Sequence, residues 1–168
     1  MIPLLACVCL CAQGQLVLEL ANCSGDAGGT TTTSLSLDDA TGLAAAEFQV
    51  NYDAAVLAFT SAQTVDGTPG AAFEVDAQAL DGVLTVRLYR DADLPGGTGQ
   101  LVALTFQVNP GVETGMTTDL TLARSELADA GGGRLPGSLE PVLRHATFTA
   151  RDGVSTDVPL TCVAGYGG

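Results

Sequence analysis

From residue 15 onward the chain alternates apolar and polar positions in short runs. Such runs are expected of strands that bury one face and leave the other in water. Residues 15–21 (QLVLELA), 30–37 (TTTTSLSL), 44–52 (AAAEFQVNY) and 56–64 (VLAFTSAQT) form the first four predicted strands. Residues 73–80 (FEVDAQAL), 83–89 (VLTVRLY), 99–108 (GQLVALTFQV), 118–125 (TDLTLARS) and 142–150 (VLRHATFTA) complete the set. The intervals carry turn chemistry, as in Gly25-Asp26-Ala27-Gly28-Gly29, Pro95-Gly96-Gly97 and Asn109-Pro110-Gly111. Asp81-Gly82 between two alternating runs is the strongest hairpin signal, because a two-residue primed turn needs positive φ at both positions. Nine short strands without a long helical period predict an all-β fold, a nine-stranded β-sandwich with jelly-roll topology.

The pattern also assigns faces. On the third predicted strand Phe48, Val50 and Tyr52 point to the core, and Glu47, Gln49 and Asn51 point outward. Asp53 is placed to cap the turn begun by Ala54-Ala55, after which Leu57 and Phe59 return to the core.

The first 14 residues read differently. The apolar run 2–12 (IPLLACVCLCA) ends in the small-x-small pattern Ala12-Gln13-Gly14, which predicts a signal peptide cleaved before Gln15. The run is too short to span a bilayer. Leu4-Leu5-Ala6-Cys7 is an alternative lipobox with Cys7 as the lipidated residue. Cleavage removes Cys7, Cys9 and Cys11 and leaves Cys23 and Cys162. An even pair in an exported protein predicts one disulfide, Cys23–Cys162. Residues 15–150 form the predicted domain, and residues 151–168 a tail or the start of a linker.

Charge then narrows the partners. The 168-residue chain carries 19 acidic residues and six basic ones, all arginine, for a net charge of −13. Such a surface repels nucleic acid and anionic lipid, so neither is an expected partner, and no membrane insertion is expected. Neither cysteine has a companion at zinc-ligand spacing, and no loop repeats Asp at calcium-ligand spacing, so no metal or other cofactor is assigned. His145 is the only histidine, and no nucleophile–base set can be built around it. Asp91-Ala92-Asp93 is the most site-like acidic loop and reads as a solvated turn. No catalytic residue is assigned, and the protein is not expected to be an enzyme.

The residues also carry a resemblance. A leading strand, a Gly-rich turn and a Thr-rich strand are followed by Tyr52-Asp53-Ala54-Ala55-Val56-Leu57, and later by Leu101-Val102-Ala103-Leu104-Thr105-Phe106. Gly115, Leu120-Thr121-Leu122 and the Asp129–Leu135 segment continue the pattern. Over residues 15–150 the chain resembles a cohesin domain. The resemblance implies a secreted or cell-surface protein–protein module of the bacterial type. Its expected partner is a dockerin or dockerin-like module, in a complex that degrades polysaccharide. It also implies that the partner lies across the sheet of the third, fifth, sixth and eighth strands. The implied partner-binding residues are Glu47, Gln49, Asn51, Glu74, Asp76, Thr85, Arg87, Tyr89 and Thr121. Cohesins of the first type often place Asn and Asp two apart just before the core Phe, where this chain has Ala45-Ala46-Glu47. Two other readings stand beside this one, a carbohydrate-binding module with polysaccharide as partner, and a structural or adhesin-like domain. The first of these needs exposed coplanar aromatics, and the chain has no Trp and three Tyr.

Overall fold

The computed structural model describes residues 14–138 and 140–152. Eleven strands form in chain order: β1 (Val17–Leu20), β2 (Cys23–Asp26), β3 (Thr30–Leu37), β4 (Ala45–Asn51), β5 (Leu57–Gln63) and β6 (Glu74–Leu80). They continue with β7 (Val83–Tyr89), β8 (Gly99–Val108), β9 (Thr117–Ala128), β10 (Val142–Arg144) and β11 (Ala146–Arg151). One sheet has the order β10-β1-β3-β8-β5 and the other β2-β11-β9-β4-β7-β6. Phe48, Phe106, Phe148 and the leucines of both inner faces fill the space between them. Tyr52 and Phe59 close one end of this core by meeting Phe106 edge-on at 5.2 and 5.8 Å.

The sandwich is as the alternation predicts, but the strand count rises from nine to eleven. Both additions come from chain segments that change sheets. β1 passes into β2, and β10 into β11. Across the change the two segments stay parallel at a constant offset of 125 residues, with Val17 beside Val142 and Cys23 beside Phe148. Edge and interior roles are exchanged on the way: β10 is the edge in the first sheet and β2 in the second. A strand leaving one ladder for another strands its backbone groups, which must be satisfied elsewhere. Side chains do this here. Asn22 Oδ1 accepts the Thr147 amide at 2.8 Å, and His145 Nδ1 accepts the Leu122 amide at 3.0 Å. From the facing strand, the buried Thr31 and Thr33 hydroxyls donate to the Ser24 and Ala21 carbonyls.

Two further details position the outer faces. Asp81 and Gly82 have φ of 49° and 79°, so the β6–β7 hairpin turns as predicted and aligns Leu80 with Val83. β9 carries a bulge at Ala123: Gln49 pairs with Arg124, whereas Val50 pairs with Leu122. The extra residue shifts the alternation by one, so Thr121, Arg124, Glu126 and Ala128 all reach the same outer face.

Candidate functional site

Each of the nine expected contact residues lies on the outward face of the six-stranded sheet. Glu47, Gln49 and Asn51 are on β4, Glu74 and Asp76 on β6, Thr85, Arg87 and Tyr89 on β7, and Thr121 on β9. Strand register groups them into cross-strand rows. Asp76, Arg87 and Glu47 share one row, Thr85 and Gln49 another, and Asn51 and Thr121 a third.

The central row is ionic. Arg87 Nε lies 2.7 Å from Glu47 Oε2, and its Nη1 is 3.6 Å from Asp76 Oδ2. The hydrogen bond and charge of Glu47 hold the Arg87 guanidinium more firmly protonated. On β9, Arg124 pairs with Glu126, which lowers the Glu126 carboxyl below its usual range through that hydrogen bond and the arginine's charge. Tyr89 is half exposed and donates its hydroxyl to Glu74, a bond that raises the phenol above its ordinary value. Three of the chain's six arginines, Arg87, Arg124 and Arg134, stand at this face. It is therefore far less negative than the protein as a whole.

Several members of the face escape strict alternation. With period two from Thr121, positions 123 and 125 are the outward ones; the bulge substitutes Arg124 and Glu126. Ala45 and Ala128, paired across β4 and β9, have no polar signature at all, and Arg134 reaches Ala128 through an isolated bridge. At the other end, Leu80 (74% exposed) and Val83 form an apolar patch beside the hairpin turn.

The remaining candidates have structural work. The only histidine, His145, spends Nδ1 on the Leu122 amide. In the acidic loop, Asp93 Oδ1 accepts the Ala130 amide at 2.7 Å. Asp53 Oδ1 accepts the Ala55 amide at 2.8 Å, which makes it the expected cap. Among the described residues no three His, Cys, Asp or Glu side chains gather as metal ligands. Cys23 is half-buried on the edge strand β2, and burial raises its thiol above the ordinary range. Its expected partner Cys162, like the leader and the tail beyond residue 152, lies outside the described residues.

Comparison with known proteins follows the same line. The sequence profile of the cohesin domain matches residues 16–135. A search of curated protein sequences finds no match. Among solved structures, the sixth cohesin of scaffoldin B from Acetivibrio cellulolyticus, in complex with a Cel5 dockerin mutant, superposes with a TM-score of 0.67 at 18% identity. That match covers 82% of this chain and 100% of the other. A non-cellulosomal cohesin from the archaeon Archaeoglobus fulgidus gives 0.66 at 16% identity, covering 82% and 91%. The seventh ScaB type I cohesin from Pseudobacteroides cellulosolvens gives 0.67 at 18%, covering 85% and 96%.

Proposed function

The chain belongs to the cohesin family, and on that premise we propose that it binds a dockerin or dockerin-like partner through the outward face of β6, β7, β4 and β9. The family is one of non-catalytic interaction modules. The observation that carries the choice of face is its composition. Arg87 and the half-exposed Tyr89 stand side by side with the carboxylates of Glu47, Glu74 and Asp76, a mixture of aromatic and arginine anchors typical of energetic hot spots. Solved relatives bound to dockerins support the partner class. Polysaccharide is a poorer fit, since Tyr89 is the one exposed aromatic ring among the described residues and a sugar platform needs several.

We place the protein in a secreted or cell-surface complex, with residues 1–14 as the leader and 151–168 as a tail pinned by Cys23–Cys162. An apolar leader ending in Ala12-Gln13-Gly14 and the even cysteine count after it support this. Mass mapping of the secreted, unreduced protein tests the bridge; two free thiols contradict it.

Binding to an array of purified dockerin modules tests the partner and the face together. Arg87→Ala and Tyr89→Ala are each expected to weaken capture by about tenfold or more. Thr32→Ala, on the opposite sheet, is expected to leave it unchanged. Equal capture by all three variants contradicts the assignment of the face.

A further inference from the structure

At one end of this face a cross-strand row reads Glu74, Tyr89, Ala45, Ala128 and Arg134. Its third and fourth members are alanines, while the neighbouring row holds the long side chains Arg87, Glu47 and Glu126. The difference in side-chain length leaves a hollow of ≈ 390 Å³. Its floor is the methyl groups of Ala45 and Ala128, and Tyr89 and Arg134 form opposite walls.

Size and charge limit what fits. The backbones bearing Tyr89 and Arg134 are three strand spacings apart, roughly 14 Å, and an α-helix with its side chains is about 10–12 Å across. The rim carboxylates are already paired, Glu47 with Arg87 and Glu126 with Arg124, so a cationic side chain has little left to neutralise. What remains to be covered is the apolar floor, whose hydration an apolar group displaces favourably. A small apolar recess ringed by polar groups is also the usual surrounding of a dominant contact.

We infer that the hollow is a socket for one aliphatic side chain carried on a helix of the dockerin, and that Ala45 and Ala128 set specificity by leaving it open. The inference rests on the dockerin-binding reading above and adds the chemistry of the partner's contact.

The test uses the full chain and the same array of dockerin modules. Ala45→Leu and Ala128→Leu each project an aliphatic side chain into the socket from half-buried positions on the outward face, so the fold is expected to survive; circular dichroism and melting check this. Each is expected to weaken capture of the dockerin bound by the wild type at least tenfold. Truncating that dockerin's contacting Leu, Ile or Val to Ala is expected to weaken wild-type binding similarly, with a smaller loss against Ala45→Leu. If the wild type binds a dockerin and both filled variants bind it within twofold, the socket is overturned and dockerin binding stands. If the wild type captures no dockerin, both fall together.

Discussion

Glu47 and Glu126 stand directly opposite one another on β4 and β9, yet each carboxylate is held by a different arginine, Arg87 for Glu47 and Arg124 for Glu126. Like charges facing across a strand pair are unfavourable by themselves. Each arginine offsets one of the two carboxylates, and apart from Glu47 the paired side chains are about half exposed. The row therefore contributes little to stability and much to the electrostatic pattern a partner meets.

The first prediction concerns acid. The Glu126 carboxyl is lowered by its hydrogen bond from Arg124, and that of Asp39 by hydrogen bonds from the side chain and backbone of Thr41. A lowered folded-state value gives stability that is present above the unfolded value, about 4, and lost as pH falls through the folded one. In urea unfolding, the gap between wild type and the double variant Glu126→Gln, Asp39→Asn is expected to shrink as pH falls below the ordinary carboxylate value of about 4. A gap constant from pH 7 to 2.5 contradicts the assignment.

Base probes the other end of the face. Tyr89 is raised by its hydrogen bond to the Glu74 carboxylate. A raised folded value means the contribution is complete below the ordinary phenol value of about 10 and lost as pH rises through the folded one. Tyrosinate absorbance is expected to contain a late-titrating component that is absent in Tyr89→Phe and shifted back toward about 10 in Glu74→Gln. Unchanged titration in Glu74→Gln counts against this contact.

The sheet change supplies a local prediction. His145→Ala leaves the Leu122 amide without its acceptor, and Asn22→Ala does the same to Thr147. Each loss is expected to cost about 1 kcal/mol. Amide exchange is expected to quicken by tenfold or more at Leu122 in the first variant and at Thr147 in the second. Exchange that rises uniformly over the domain contradicts a local role.

Two glycines in one loop separate turn strain from steric overlap. Gly67 has φ of 78° and open space beside it, so Gly67→Ala is expected to cost about 1 kcal/mol. Gly70 packs against the β8 backbone, and a Cβ there falls 1.9 Å from the Leu101 carbonyl oxygen. Gly70→Ala is expected to cost about 3 kcal/mol. Thermal unfolding of the two variants in parallel decides; equal losses contradict the overlap.

Much of this fold is legible as alternation. β3, β7 and β8 occupy the predicted spans, and the Asp81-Gly82 turn has the predicted geometry. β2 is not legible, because Gly25 reads as a turn residue. It is a strand because its ladder partner β11 is supplied from the far end of the chain. Gly25 is also pressed close enough to Thr31 and Val108 that a Cβ meets them at 3.1 and 3.2 Å. The break at His145 is hidden for the same reason: the Leu122 amide that its ring accepts comes from β9, a separate segment of the chain. At the site, polar residues of alternating strands were visible, whereas the Ala45–Ala128 hollow requires knowing that two alanines from distant segments are neighbours. The bulge at Ala123, which decides the outward residues of β9, has no signature in the local pattern.

The central claim is that one sheet face receives the partner. Amide hydrogen exchange of the full chain, with and without a dockerin captured from the array, measures it directly. Protection confined to β6, β7, β4 and the 121–128 part of β9, with β3 and β8 unchanged, is the predicted result. Protection over β3 and β8 that leaves Arg87 and Tyr89 unaffected would place the partner on the opposite sheet and contradict it.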